Sequence, residues 1–199
     1  RTPLIEPSDL PGVAQLPPRF SLRGLPTVEG QVEIQDLASQ LVGLICAPQP
    51  GSTWWDACAG SGGKALHLAD LMTGSGRILA TDIRESALEE LRRRTRQAKI
   101  ACLHPRIWNG QDDPAPGVEF DGVLLDAPCS GLGTWHRNPD ARWRASPDSI
   151  ERARQSQSEL LDQCANKVRP GGCLVYAVCT LTETETLGVI SAFLRQHAG

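Results

Sequence analysis

From Ile34 to Ile45 apolar residues recur as Ile34, Leu37, Ala38, Leu41, Val42 and Ile45, the spacing of one helical face. Pro48, Pro50 and Gly51 end that helix. Shorter apolar runs follow and read as strands: Thr53-Trp54-Trp55-Asp56, Arg77 to Thr81 with Asp82 at its end, Leu103 to Trp108, Phe120 to Asp126, and Cys173 to Cys179. Between them the spacing predicts helices from Lys64 to Met72, Glu85 to Lys99 and Asp148 to Val168, with a last one from Thr186 to Gln196. Residues 128–147 carry Gly, Pro and Asn and predict a loop, and Arg169-Pro170-Gly171-Gly172 predicts a turn. Residues 1–30 are rich in Pro and Gly without periodicity, an irregular lead-in.

Strands alternating with helices imply an α/β domain over residues 31–199, with a mostly parallel sheet covered on both faces. Right-handed crossovers put the ends of the first, fourth and fifth strands on one edge. Ligands of such sheets bind outside the carboxyl ends of the strands, where the strand order switches. Asp56, Asp82, Asp126 and Cys179 all fall at those predicted ends. Their clustering is the first sign of function.

Composition narrows the class. A chain of 199 residues, 40% hydrophobic and 22% charged, suits one soluble core, and no stretch is apolar enough to span a bilayer. Residues 1–9 lack the apolar run of a signal peptide, and the chain opens on Arg1 rather than Met, which reads as a fragment or a processed product. The net charge of −3 does not by itself predict nucleic-acid binding. Arg92, Arg93, Arg94, Arg96 and Lys99 crowd one segment, and Arg137, Arg142, Arg144, Arg152 and Arg154 another; solvated helix faces are the plain reading of both. The seven cysteines are odd in number and form no CxxC pair, which argues against a disulfide framework and against zinc. Reduced thiols fit an intracellular, cytoplasmic protein.

Two constellations carry chemistry. The first is Asp56-Ala57-Cys58-Ala59-Gly60-Ser61-Gly62-Gly63-Lys64, between a strand and a helix. Its glycines let backbone approach a ligand, and the helix start offers free amides. Asp82, at the next strand end, can take a ribose diol with its two oxygens. Asp112, beyond the third strand, is a candidate for the adenine edge or a simple turn residue. Cys58 and Ala65 stand where a phosphate-binding P-loop needs Gly and Ser or Thr, so that motif is excluded.

The second is a pair of thiols. Asp126-Ala127-Pro128-Cys129 closes the fourth strand and Tyr176-Ala177-Val178-Cys179 the fifth, which brings both to one cleft. Cys46, Cys58, Cys102, Cys164 and Cys173 read as core residues. Carbon 5 of cytosine is a poor nucleophile. A thiolate that adds to carbon 6 turns the ring into an enamine, whose carbon 5 can attack a methyl sulfonium. An acid near ring nitrogen 3 favours the addition, and Asp126 is placed for it. A second group must help remove the carbon 5 proton; Cys129 is the candidate, and Lys64 can orient the base or Asp126.

With Gln35-Asp36-Leu37-Ala38-Ser39, Arg137-Asn138-Pro139-Asp140-Ala141-Arg142-Trp143 and Val175-Tyr176-Ala177-Val178-Cys179-Thr180, the Gly-rich and Pro-Cys motifs complete a set of five in order. Together they resemble the Sun/Fmu-type (RsmB-like) RNA 5-methylcytosine methyltransferases, from about residue 30 to the end. The resemblance implies a Rossmann-like methyltransferase fold, S-adenosylmethionine as cofactor, and a structured ribosomal or transfer RNA as partner, without metal or membrane. It implies cofactor contacts from the loop Asp56, Cys58, Ala59, Gly60, Gly62, Gly63 and Lys64, and from Asp82, Asp112 and Asp126. It assigns the nucleophile to Cys179 and product release to Cys129. DNA cytosine methyltransferases use a Pro-Cys cysteine as nucleophile, which leaves Cys129 a competitor on sequence alone. The chain departs from the family pattern at Gly60-Ser61, where Ala-Pro is common, at Val178, where Thr is common, and at Glu185-Thr186, where Glu-Asn is usual. The last strands expected of the sheet would follow Gly199. Three other readings fit less of the sequence: methylation of another atom, a non-catalytic RNA-binding relative, and a nicotinamide-dependent oxidoreductase.

Overall fold

The computed structural model describes residues 6–7, 13–15, 30, 32–135, 138–139 and 141–197. Five strands form one parallel sheet: β3 (Thr53–Asp56), β4 (Arg77–Asp82), β5 (Leu103–Ile107), β6 (Phe120–Asp126) and β7 (Val168–Ala177), in the order β5-β4-β3-β6-β7. The order reverses between β3 and β6, which is where a ligand crevice opens. A separate two-residue antiparallel pair, β1 (Glu6–Pro7) with β2 (Ala14–Gln15), lies in the segment expected to be irregular. Two-residue strands are too short to carry a period, so the hydrophobic pattern could not reveal them.

The buried strands show why a continuous apolar run is needed in a doubly covered sheet. Successive side chains point to opposite faces. Trp54, Ile78 and Leu124 enter one core cluster, with Leu68 of α2 (Gly63–Leu71) and Leu88 and Leu91 of α3 (Glu85–Gln97). Their neighbours Trp55, Leu79 and Leu125 enter the other, with Leu161 of α5 (Pro147–Ala165) and Val189 of α6 (Leu187–Gln196). Trp55 is fully buried, and its indole N–H donates to Thr81 Oγ1 at 2.9 Å, so its polar atom is satisfied inside the core. On the other face, a Cβ at Gly122 of β6 would lie 2.3 Å from the Trp54 ring, so only glycine lets that indole lie against the strand.

The helix predicted from Ile34 to Ile45 is α1 (Leu37–Cys46), capped by Asp36, whose carboxylate accepts from Ser39 N at 3.0 Å. Its apolar stripe faces the core only at Val42: Leu37, Leu41 and Ile45 are exposed, and Gly43 and Cys46 are the buried positions. Gly43 is required there, because a Cβ would sit 2.3 Å from His67 Nδ1 of α2.

The remaining corrections concern boundaries. The helix expected over 148–168 starts at Pro147, after a Ser146/Ser149 capping box, and stops at Ala165. Val168 already pairs with Phe120, and Arg169 to Gly172 bulge out before Cys173 pairs with Gly122. The predicted turn is therefore a bulge inside β7. The loop over 128–147 contains a 3-10 turn (Leu132–Thr134) and a short helix, α4 (Ala141–Arg144). Arg137 and Asp140 of the fourth motif lie outside the described residues. β7 is an edge strand, as the sequence implied, and is only half-buried along its apolar stretch.

Most described arginines of the first basic segment are paired with carboxylates: Arg92 with Glu85 at 2.5 Å, Arg93 with Glu90 at 2.6 Å, and Arg94 with Glu33. The Arg92 and Arg93 pairs lie on the solvated face of α3, as the plain reading had it, whereas Arg94 is mostly buried and reaches out of the helix to Glu33 and to Ser61 O of the glycine loop. No helix of the described residues is long and apolar enough to cross a membrane.

Candidate active site

The four strand ends deliver their chemistry to one edge. β3 ends on Asp56 and turns at once into the glycine loop. Gly60 (φ +57°) and Gly62 (φ +90°) take left-handed conformations that side chains resist. Gly62 caps α2, and a Cβ on it would reach within 2.1 Å of buried Leu91 Cδ1. The loop is pinned by Ala59 N donating to Thr81 O at 2.8 Å.

Asp56 is wholly buried, and neither carboxylate oxygen meets a hydrogen-bond partner among the described residues. Burial, helped by the negative charge of Asp126, pushes its pKa up to about 8, against the pull of Lys64 and the Cys58 amide. A buried acid without a partner is costly to retain, and such perturbed groups cluster at functional sites. Asp82 is the reverse case. Its oxygens accept from Gly60 N at 2.8 Å, Arg84 N at 2.9 Å and the Arg84 fork at 3.0 and 3.1 Å. Burial raises its pKa, but the Arg84 bonds and charge win and hold it below the usual carboxylate range. Arg84 itself is largely exposed. These features fit an amino-acid nucleoside: an orphaned acid, a bare helix start and an acid at the next strand end.

Asp112 is placed less decisively. Its side chain is exposed, and its carbonyl accepts from the Trp108 indole at 2.6 Å. With Arg106, Trp108, Asn109 and Pro114 it lines a small cavity of about 160 Å³ beyond β5. Cys58 is half-buried against the second core cluster, its thiol pushed up to about 12 by burial. It contributes shape rather than reactivity.

β6 and β7 deliver the thiols. Their paired register ends at Asp126 opposite Ala177, and Ala127 N extends the pairing to Ala177 O at 2.9 Å. Cys129 Sγ and Cys179 Sγ then meet at 3.2 Å. Cys179 is exposed and Cys129 half-buried. Lys64 Nζ, from the start of α2, donates to Asp126 Oδ2 at 2.6 Å. The Cys179 thiol is held below its ordinary range, chiefly by the hydrogen bond from Cys129 and also by the Lys64 charge, against burial and Asp126. Cys129 moves the other way because it keeps the shared proton and is more buried. Cys46, Cys102 and Cys164 are buried and Cys173 is exposed on the edge strand, away from this group.

Sequence reading missed what holds the two cysteine loops. Glu185 is fully buried, and its carboxylate accepts bonds from Ser130, Thr180, Thr182 and Gln157. In sequence it lies in the polar run Thr182-Glu183-Thr184-Glu185-Thr186, where the one signal was the family's Glu-Asn pattern at Glu185-Thr186. At the position where the family usually has Asn, Thr186 Oγ1 donates to Thr182 O at 2.7 Å, so a side-chain bond survives the departure. Trp143 is 86% exposed, whereas Trp135 keeps its indole nitrogen buried, with the Arg142 guanidinium 5.8 Å from its ring. No cluster of three metal-ligating side chains occurs among the described residues.

A Rossmann-like sheet, a glycine loop feeding a helix start and acids at successive strand ends define an S-adenosylmethionine-dependent methyltransferase domain. The chain belongs to the 16S rRNA methyltransferase RsmB/F family, which matches residues 43–199. It is 42% identical over 174 residues to a probable ribosomal RNA small subunit methyltransferase B from Synechocystis sp., covering 85% of this chain and 38% of that protein. Among solved structures it is similar to NSun6 from Pyrococcus horikoshii with SFG (TM-score 0.81, 28% identity, 89% of this chain and 46% of that one). It is also similar to a methyltransferase homolog protein from the same organism (TM-score 0.78, 33% identity, 89% of this chain and 56% of that one). The chain thus spans about two-fifths of the length of the curated relatives it matches.

Proposed function

We propose that this domain catalyses methylation of carbon 5 of cytosine in ribosomal RNA through a covalent Cys179–base intermediate. The observation that carries the reading is the 3.2 Å approach of Cys129 and Cys179 on the edge that holds the Lys64–Asp126 pair. Methylation of a ring nitrogen or an exocyclic amine has no use for two converging thiols, whereas carbon 5 must first be activated by addition at carbon 6. Membership of a family of 16S rRNA methyltransferases supports ribosomal RNA as the substrate class.

The cofactor supplies an electrophilic methyl group. Asp56, Gly60, Gly62, Gly63, Asp82 and Asp112 are the residues that would hold it, with Asp56 facing its amino group and Asp82 its ribose. Cys179, the more exposed and more readily ionised thiol, forms the bond to carbon 6. Asp126, oriented by Lys64, hydrogen-bonds the cytosine edge near nitrogen 3 and stabilises the adduct. Once Cys179 is bonded to carbon 6, Cys129 no longer shares a proton with it and can lose its own to solvent. After carbon 5 is methylated the Cys129 thiolate takes the carbon 5 proton, and the Cys179–carbon 6 bond breaks to restore the aromatic ring. The net change replaces a carbon-bound hydrogen by methyl and releases one proton. A base inside a helix must be flipped out to reach Cys179, at about a few kcal/mol.

The test is RNA carrying 5-fluorocytosine, in which fluorine cannot leave as a proton. A denaturation-stable protein–RNA adduct that requires Cys179 is expected. Cys129→Ala is expected to accumulate adduct on ordinary RNA, because addition proceeds and release stalls. Adduct that persists in Cys179→Ala and vanishes in Cys129→Ala would exchange the two roles. Catalysis without any adduct would end the covalent reading.

A further inference from the structure

We propose that Glu185 is a positioning residue for the thiol pair: its carboxylate joins the loop after Cys129 to the loop after Cys179 and fixes the distance between the sulfurs. The last register pair, Asp126 with Ala177, lies before both cysteines. Beyond it the two loops share the backbone bonds Ala127 N to Ala177 O at 2.9 Å and Gly133 N to Cys179 O at 3.0 Å, and the Glu185 carboxylate adds the side-chain bonds next to each sulfur. Glu185 Oε1 accepts from Ser130 N at 2.7 Å and Gln157 Nε2 at 3.1 Å. Its Oε2 accepts from Ser130 Oγ at 2.5 Å, Thr182 Oγ1 at 2.8 Å and Thr180 Oγ1 at 3.2 Å. Ser130 follows Cys129 and Thr180 follows Cys179, so one carboxylate grips the residue next to each nucleophile candidate. Ser130 Oγ and Thr180 Oγ1 also meet directly at 2.9 Å.

The grip is anchored from two more sides. Gln157 of α5 also donates to Pro128 O at 2.9 Å, and the Tyr176 hydroxyl donates to Glu185 O at 2.8 Å. Burial alone would favour the neutral acid, but the donated bonds from Ser130, Thr182 and Gln157 win and keep Glu185 below the usual carboxylate range. Charge-assisted bonds are stronger than neutral ones, and both Glu185 oxygens are satisfied, whereas Gln157 Oε1 is buried without a partner among the described residues. Substituting a shape-matched amide should therefore keep most of the grip: glutamine retains one acceptor oxygen, and the Ser and Thr hydroxyls can turn to accept from its NH2.

The consequence for methylation rests on the covalent reading, but the geometry can be read without RNA. In the full-length protein, diamide takes two electrons and two protons from a pair of close thiols, leaving a disulfide and the hydrazine form of the reagent. Peptide mass spectrometry then gives the rate of Cys129–Cys179 cross-linking. Glu185→Ala is expected to slow it by about tenfold, with Glu185→Gln within about threefold of wild type, since small displacements of reacting groups change rates steeply. Leu88→Ala, in the other core cluster, lowers the melting temperature without touching these loops and should leave the rate unchanged. The 5-fluorocytosine adduct rate is expected to fall in parallel in Glu185→Ala, while S-adenosylhomocysteine affinity stays within about twofold.

Wild-type protein that cross-links readily yet forms no RNA adduct refutes the covalent reading and supports the grip. A folded Glu185→Ala that cross-links at the wild-type rate overturns the grip, whatever the adduct does; so does wild-type protein that fails to cross-link. If Glu185→Ala does not fold, Thr182→Ala removes one donor and should slow cross-linking by about threefold, an unchanged rate again overturning the proposal.

Discussion

Replacing Asp56 by asparagine should stabilise the ligand-free domain and weaken its hold on the cofactor. The wild-type carboxyl is wholly buried without a hydrogen-bond partner among the described residues, and its pKa is pushed from 3.8 up to about 8. A raised pKa means that its stabilising contribution is fully present below the unfolded value and is lost as pH rises through about 8. At pH 7 the unfolded chain has released this proton and the folded protein still holds it. The difference corresponds to a penalty of up to about 4 kcal/mol, and relaxation of the site would reduce it to about 1–3 kcal/mol. Asparagine has the same shape and no such linkage. Urea denaturation should therefore find Asp56→Asn more stable than wild type at pH 8, with the gap closing toward pH 4. Calorimetry should show the opposite for ligand: S-adenosylhomocysteine affinity reduced about tenfold or more, because a charge-assisted bond to its ammonium group is lost. Wild-type binding near pH 7 should release close to one proton, measured in two buffers of different ionisation heat. A variant less stable than wild type by more than about 1 kcal/mol at both pH 5 and pH 8 would refute the reasoning, since it would mean the carboxyl has a stabilising partner in the folded state.

Further expectations test the other parts of the site. Gly62→Ala combines a φ of +90° with a Cβ 2.1 Å from Leu91 Cδ1, and should cost about 2–4 kcal/mol in urea denaturation; a loss under about 0.5 kcal/mol would show that α2 can shift. The single-turnover rate of adduct formation should rise with pH through about 7, because the attacking form of Cys179 is the thiolate and its pKa is lowered to that value; a rate flat from pH 6 to 8 would count against it. Lys64→Met should slow adduct formation by about tenfold or more, because Lys64 orients Asp126 and its charge helps hold the Cys179 thiol down; Cys129–Cys179 cross-linking, which needs only the thiolate, should slow by less than about threefold, and adduct formation at the wild-type rate would count against the pair.

Much of this protein was legible before folding. Near-continuous apolar runs such as Phe120 to Asp126 and the helical spacing of Glu85 to Lys99 fix the elements, because burial on both faces of a parallel sheet leaves few other arrangements. The convergence of Asp56, Asp82, Asp126, Cys129 and Cys179 followed from topology alone, since each stands at or just beyond a strand's carboxyl end. Tertiary structure decided what depends on distant partners. Whether Leu37, Leu41 and Ile45 face the core or solvent depends on what packs against α1. That Asp56 is orphaned while Asp82 is engaged by Arg84 depends on burial and charge, which no motif encodes. Glu185 is the plainest case: it stands in a polar run among threonines, yet it lies 55 residues in sequence from Ser130 and binds it at 2.5 Å. Periodicity records which face of an element avoids water, whereas a hydrogen-bond network is set by where separate chain segments come to rest.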